Sequence, residues 1–491
     1  MPTPLRPDGN PVVIGDVVLR TPGLRGEADV FVETTGLRAA AVMSTAFAAA
    51  LAEAQFTTVR AIQLRGTVET PLPPSGTRAL TPYAEDAIVV DVAAPNELFE
   101  QVLLMQDEAG VLTWSFAEPQ AQDVEAAATR GGRRRSYVLR RYVPPKPAPG
   151  TTRGLLGAVG TKVIHVLAFP IQRLAGGAIA STIGAWEREH RPYALARVDA
   201  ASYGAPISGV PDDAAWRDMA SGPALLLIHG TFSRCSSTYA QLPPDVMTRL
   251  VDAYAGRILA FDHTTVSETP RENVEWLLRQ VPAGARLTFD VVAHSRGGLV
   301  ARVLAERLHD IGDDRLIDVR KAVLVGVPDN GTALTRSAHI ADFLDAFSNL
   351  LNFFPGSVGV DVLQCVLAAV KEVAIGAVDR LTGLQSMLPG GEFQRWLNVG
   401  PKGSSRYYAI ASAFAPTESG LKEWAEQRLM RVIFGEDNDL VVPTSGVYAE
   451  NGSHRFPIAS GDVVLFGADD AVNHCQYFLQ PRVRDKLIEW L

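Results

Sequence analysis

Residue 222 marks a change of pattern that constrains the fold more than any other feature of this chain. Beyond it, apolar runs alternate with amphipathic stretches: PALLLIHG (223–230), a helical pattern around 241–254, RILAFD (257–262), a helical pattern around 270–281, LTFDVVAHS (287–295), a helical pattern around 297–309 and KAVLVGVP (321–328). Strands spaced by helices of this length make βαβ units, because a parallel neighbour is reached only by a crossover. LLLI and VLV are apolar at consecutive positions, as strands covered on both faces must be. The expectation for 222–491 is an α/β domain on a mostly parallel sheet wrapped by helices.

Residues 1–143 read differently. VVIGDVVLR (12–20), ADVFVET (28–34), VRAIQLRGTVE (59–69), AIVVDVA (87–93), LFEQVLLMQ (98–106), VLTWSF (111–116) and SYVLRRYV (136–143) are short, β-branched and bounded by Gly, Pro or Asp. That is the grammar of strands and turns. One Ala-rich stretch, 37–54, reads as a helix. The expectation is a β-rich domain over 1–143, with no catalytic constellation and no assignable role.

Residues 144–221 read as a connection. Arg130, Arg133, Arg134, Arg135, Arg140, Arg141 and Lys146 surround the start of VPPKPAPGTT (143–152), a stiff, extended linker. The apolar run 154–190, interrupted by Lys162, His165, Pro170 and Arg173, reads as a helical pair that joins the domains. A second reading makes 130–190 a peripheral surface for an anionic partner or a membrane, with Lys162 and Arg173 at headgroup level.

Composition bounds the function. Hydrophobic residues are 47% and charged residues 20%, which is globular and not disordered. A net charge of −8 argues against nucleic-acid binding, which needs a basic footprint. The three cysteines, Cys235, Cys365 and Cys475, cannot make a disulfide framework and suit a reducing compartment. MPTPLRPDGN lacks a basic segment followed by an apolar core, so no secretory signal is expected, and no apolar run is long enough to span a membrane. The expected location is cytoplasmic, with the peripheral-membrane alternative kept.

The chemistry concentrates in three loops. In AHSRGG (293–298) an apolar strand runs into Ser295 and a helical pattern follows. A serine at such a turn is held in a strained backbone that projects its hydroxyl above the sheet. Ala293 and Gly297 supply the small volumes required two residues to either side. The bland alternative is an N-cap serine before a glycine pair. Serine needs a base, and the base needs an orienting group; with this elbow they follow in the order Ser, acid, His. EDNDLVVPTSG (436–446) offers Asp439, with Asp437 and Glu436 as alternatives, or a mere Asx turn. AVNHCQYF (471–478) offers His474, whereas His454 in NGSHRF reads as a surface hairpin. The oxyanion needs preorganised donors. Arg296 N–H is one, and the loop after LLLIHGTFS (225–233) gives Thr231 N–H, with Phe232 as second choice. His229, Gly230, His294, Asp262 and His263 are supporting residues of these loops, the last two with a direct substrate contact as the sharper alternative.

Residues 222–491 resemble the α/β-hydrolase superfamily, and within it the bacterial lipases and esterases. The matches are IHGTF (228–232), AHSRGGLVAR (293–302), VGVPDNGT (325–332), EDNDLVVP (436–443) and VNH (472–474). The resemblance implies an eight-strand-type sheet, no metal or cofactor, and hydrolysis of a lipophilic ester through a Ser295 acyl-enzyme. It also implies that the apolar helical patterns 341–354 and 361–378, within the insertion 330–405, form a cap or lid over an acyl pocket, with plain core-packing helices as the alternative. A thioesterase or acyltransferase would carry the same triad, and a scaffold that has lost catalysis is the alternative of another class. No H-E-x-x-H pattern points to a metal hydrolase.

Overall fold

The computed structural model describes residues 2–32, 45–70, 87–107, 110–117, 134–140, 160–174, 179–311, 316–354, 360–399, 404–417, 433–453 and 455–491. His454, most of the basic run and the linker 143–152 lie outside them. The chain divides into two compact units, one built mainly on Met1–Ala180, the other on Ser181–Glu372, Ala377–Glu418 and Leu429–Leu491.

The first unit has strands β1 (Thr3–Pro4), β2 (Val12–Ile14), β3 (Val17–Arg20), β4 (Leu24–Val32), β5 (Thr57–Glu69), β6 (Ala87–Ala93), β7 (Phe99–Gln106), β8 (Leu112–Ser115), β9 (Arg134–Arg140) and β10 (Gly160–Pro170). They pair antiparallel in two sheets, β1-β4-β5-β10-β7-β8 and β2-β3-β6-β9. Leu19, Val90 and Leu139 from the smaller sheet share one core with Ile62, Leu64, Leu103, Ile164 and Val166 from the larger. Helix α1 (Thr45–Glu53) contributes Phe47, which packs on Trp114. Trp114 also meets Phe56, which meets Phe169.

β10 corrects the expectation of a helical pair over 154–190. Within that run the described helix is α2 (Ile183–His190), and 160–170 is a strand at the middle of the six-stranded sheet. Ile164 lies opposite Ile62 on one side and Met105 on the other. Val163, Ile164 and Val166 are β-branched, and alternation puts Ile164 and Val166 on the core face. Two open strand edges, supplied from far away in the sequence, outweigh local helix propensity. The β unit therefore reaches past 143. Of the basic run, Arg134, Arg135 and Arg140 fall in β9, where Arg135 pairs with the buried carboxylate of Glu100.

The second unit holds one seven-stranded sheet among the described residues, in the order β11 (Ala194–Arg197), β13 (Ile258–Asp262), β12 (Ala224–Ile228), β14 (Arg286–His294), β15 (Leu316–Val325), β16 (Arg406–Ser412) and β17 (Val463–Phe466). Only β11 runs antiparallel to its neighbour; all other pairs are parallel. Every residue of β12 and β13 is buried, as the continuous apolar runs require. The helices are α3 (Asp213–Met219), α4 (Cys235–Tyr239), α5 (Pro244–Ala253), α6 (Pro270–Gln280), α7 (Gly297–Glu306), α8 (Ile340–Phe353), α9 (Val360–Ala374), α10 (Thr382–Gln385), α11 (Glu392–Asn398) and α12 (Pro481–Trp490). α6 starts where it does because Thr269 and Glu272 form a reciprocal capping box and Pro270 pre-sets the first turn. Ile433 and Phe434, just before the turn 436–446, lie in a helical turn. The sheet has seven described strands where the resemblance implies eight.

Candidate active site

Ser295 stands between β14 and α7 with φ 53°, a left-handed conformation that costs an ordinary residue about 1–2 kcal/mol. Two hydrogen bonds hold it there. Its N–H donates to Val325 O at 2.8 Å, and its carbonyl accepts from Gly298 N–H at 2.9 Å. The turn works only with a glycine after it, since a Cβ on Gly297 would lie 2.3 Å from His229 O. β14 and β15 are parallel neighbours in the middle of the sheet, so the hydroxyl emerges at the C-terminal edge of the strands.

The structure brings Ser295, His474 and Asp439 together. His474 Nε2 is 2.9 Å from Ser295 Oγ, and His474 Nδ1 is 2.7 Å from Asp439 Oδ2. The network sets the tautomer: Nδ1–H donates to the carboxylate, and Nε2 accepts from the serine hydroxyl. Asp439 Oδ1 accepts from Val441 N–H at 3.0 Å and Val442 N–H at 2.7 Å. Its Oδ2 also accepts from Tyr477 Oη–H at 2.8 Å. Burial pushes this carboxyl up, but the charge and hydrogen bond of His474, the Val442 amide and the Tyr477 hydroxyl together hold it below the usual range, so it is ionised. The two alternatives in the same turn do other things. Asp437 is exposed, and Glu436 accepts from Ser445 N–H at 3.2 Å.

Among the described residues, neither Thr231 N–H nor Arg296 N–H has a hydrogen-bond acceptor, although both residues are buried. The second choice, Phe232 N–H, is taken by Thr265 Oγ1 at 3.2 Å. The Arg296 side chain points away from the serine and is fully buried. It donates to Gly383 O and Asn273 Oδ1, each at 3.0 Å, and to Glu268 O. Burial pushes its pKa down to about 10, so it stays cationic. These three anchors fix the side chain of the residue that follows Ser295.

The supporting residues act on the loops. His229 Nδ1–H donates to Gly230 O at 2.9 Å, and its Nε2 accepts from His263 N–H at 3.1 Å. The two imidazoles stack at 4.2 Å. Burial pushes His229 down to about 3 and His263 well below its usual value, so both are neutral. Asp262 Oδ1 accepts from Cys235 N–H at 2.8 Å, at the start of α4. Asp262 and His263 are thus buried and tied to Cys235 and His229. Gly230 lies against the nucleophile, where a Cβ would come 2.6 Å from Ser295 Cβ. His294 Nε2–H donates to the main-chain carbonyl of His474 at 2.9 Å and positions the loop of the base. Burial, and then the charge of His474, push His294 down to about 3.

Several contacts were not visible in the sequence. Tyr477 is one, and the Arg296 anchors are another. A third is an aromatic cluster: Phe343 and Phe347 of α8 meet Phe232 at 5.7 and 4.9 Å, and Phe347 stands edge-on to His474 at 6.2 Å. Ser295 is 2% exposed and His474 1%, so the site is covered, and α8 supplies apolar cover. Burial pushes the thiols of Cys365 and Cys475 up to about 12 and that of Cys235 well above its usual value, so none is a thiolate nucleophile. Among the described residues, no group of three or more His, Cys, Asp or Glu side chains suits a metal ion, and no helix is long and apolar enough to cross a membrane.

Among solved structures, the chain is similar to the mature form of lipase BlEst2 from Bacillus licheniformis, with 16% identity over 60% of this chain and 97% of that one, at a TM-score of 0.31. Lipase 1 from Pelosinus fermentans matches at 13% identity over 54% of this chain and 98% of that one, at a TM-score of 0.36. Phospholipase PlaB from Legionella pneumophila matches at 15% identity over 46% of this chain and 45% of that one, at a TM-score of 0.30. No curated protein sequence matches significantly. The model of the family described as "Domain of unknown function (DUF7379)" matches residues 190–491, the part that carries the sheet and the Ser295 site, and the chain belongs to that family.

Proposed function

We propose that the second unit is a serine hydrolase of the α/β-hydrolase type that cleaves carboxylic esters with lipophilic acyl groups. The observation that carries this reading is the continuous relay from Ser295 Oγ through His474 to Asp439, with contacts of 2.9 and 2.7 Å at an elbow of positive φ. A scaffold that had lost catalysis would have no reason to maintain this strained turn and this buried hydrogen-bonded pair.

The reaction follows from the geometry. His474 Nε2 takes the Ser295 proton as Oγ attacks the ester carbonyl, and Asp439 stabilises the imidazolium. The carbonyl oxygen becomes an oxyanion held by the N–H groups of Thr231 and Arg296. Collapse expels the alcohol, which receives the proton from His474. Water then attacks the acyl-enzyme with His474 again as base, releasing the acid and restoring Ser295. Phe232, Phe343 and Phe347 give the site an apolar wall suited to an acyl chain. α8, which carries Phe343 and Phe347, serves as the cap over this wall.

A fluorophosphonate probe with peptide mapping tests the reading, followed by p-nitrophenyl esters of increasing chain length. Labelling is expected on Ser295, and Ser295→Ala is expected to lose both labelling and at least about 10³-fold of the hydrolysis while remaining folded. Undiminished turnover by pure Ser295→Ala protein refutes the assignment.

A further inference from the structure

We infer that Tyr477 is a positioning residue of this site, setting the pH range in which His474 works by sharing the carboxylate oxygen that His474 uses. The inference rests on the proposed hydrolase reading and deepens it.

The geometry is specific. Tyr477 Oη–H and His474 Nδ1–H donate to the same atom, Asp439 Oδ2, at 2.8 and 2.7 Å. Oδ1 is already saturated by the amides of Val441 and Val442. All four donors are therefore used to hold one buried carboxylate, and only Oδ2 responds to the base. Tyr477 is 1% exposed, so its hydroxyl is shielded from bulk solvent. Burial, then the charge of Asp439, push its own ionisation well above the usual range, so it remains a donor at any working pH. Gly326 closes the space behind the trio, since a Cβ there would lie 2.8 Å from Tyr477 Cε2 and 3.4 Å from both Asp439 Oδ2 and His474 Nδ1.

The hydroxyl does two things by electrostatics. It fixes the direction of the Oδ2 lone pair that faces Nδ1. It also spreads part of the carboxylate's charge, which weakens its pull on the imidazolium. Without it the imidazolium is over-stabilised and the base becomes available only at higher pH. The other titratable groups that face the trio do not compete. His294, from the elbow, has its ring 5.0 Å from that of His474 and 6.3 Å from that of Tyr477, and it is neutral, pushed down to about 3 by burial and then by His474. Cys475, on the same loop as the base, is pushed up to about 12 by burial and then by Asp439. α8 presents the uncharged ring of Phe347, and β17 presents Phe466.

The test compares wild type, Tyr477→Phe and the full chain with 3-fluorotyrosine at position 477, on a p-nitrophenyl ester. Active sites are counted by fluorophosphonate titration. Tyr477→Phe is expected to lower kcat about tenfold with KM within about twofold. Its acid limb of kcat/KM is expected about half a pH unit higher. Fluorotyrosine is a stronger donor that keeps the ring and the fold, and it is expected to move the limb the other way. The low-field Nδ1 proton resonance of His474 is expected to persist in all three and to shift in both variants. If limb and resonance stay unmoved in fully titrating variants, Tyr477 is packing alone and the inference is overturned. If wild type itself neither takes the probe nor cleaves esters, it is the hydrolase reading that fails, and the inference goes with it.

Discussion

The main-chain N–H of His474 donates to the main-chain carbonyl of Asp439 at 3.1 Å, beside the side-chain contact of 2.7 Å between the same two residues. The acid turn and the loop of the base are therefore joined by backbone, and their spacing does not depend on the charge of the carboxylate. Asp439→Asn is accordingly expected to fold with its loops in place. Its rate is expected to fall by about 10⁴, because an amide favours the wrong imidazole tautomer and gives the imidazolium no counter-charge. Asp437→Asn, at an exposed position of the same turn, is expected to stay within about twofold of wild type. Steady-state kinetics of the two variants decide the matter, and a crippled Asp437→Asn would move the acid to that residue.

Gly326 makes the packing behind this pair testable. It sits at φ 57°, where an L side chain is strained, and any Cβ would press on Tyr477, Asp439 and His474. Gly326→Ala is expected to lower stability by about 1–3 kcal/mol through overpacking. It is also expected to lower kcat more than KM, because the displaced atoms are those of the relay. Chemical denaturation and ester kinetics on the same preparation check both parts. A variant of unchanged stability and rate would show that the contact relaxes freely.

How much of this was legible in sequence depended on whether the partner was local. The elbow at Ser295, the alternation of β12 to β15 with their helices, and the loops of Asp439 and His474 all announce themselves within a few residues, through small-residue spacing, apolar runs and turn chemistry. β10 did not, because its β-branched residues lie in a longer apolar run and its pairing partners β5 and β7 are far away in sequence. β11 offers only two fully buried residues at an antiparallel edge, too short for a period to show. Tyr477 lies three residues after His474 and reads as one more core aromatic; only the folded loop shows its hydroxyl at Asp439. The choice between Thr231 and Phe232 as donor turns on Thr265, which is more than thirty residues away in sequence.

The aromatic wall predicts chain-length selectivity. Phe347 is buried, and its ring lies between Phe232 and His474. Phe347→Ala is expected to cost about 3–5 kcal/mol of stability. It leaves a cavity beside the base that a longer or branched acyl chain fills. The ratio of kcat/KM for long over short p-nitrophenyl esters is therefore expected to rise severalfold in the variant. An unchanged ratio would place the acyl chain elsewhere.

Acid affects this protein in two separable ways. Activity is expected to fall as pH drops, because a general base must be neutral to take the serine proton. EDTA is expected to leave that profile unchanged, since the oxyanion is held by amide N–H groups and not by a cation. Stability falls for another reason. His229 and His294 are pushed down to about 3 by burial, and His263 is lowered well below its usual value. In the unfolded chain these side chains titrate near 6.5. Their folded values are depressed, so their contribution is fully present above about pH 6.5 and is lost as pH falls toward 3, where the unfolded state binds protons that the folded state refuses. Each such histidine removes about 1.4 kcal/mol per pH unit within that window. The urea midpoint is therefore expected to drop between about pH 6 and pH 4, and His294→Asn is expected to flatten the slope. Unfolding that shows no pH dependence over this range would mean that the three imidazoles take up protons in place.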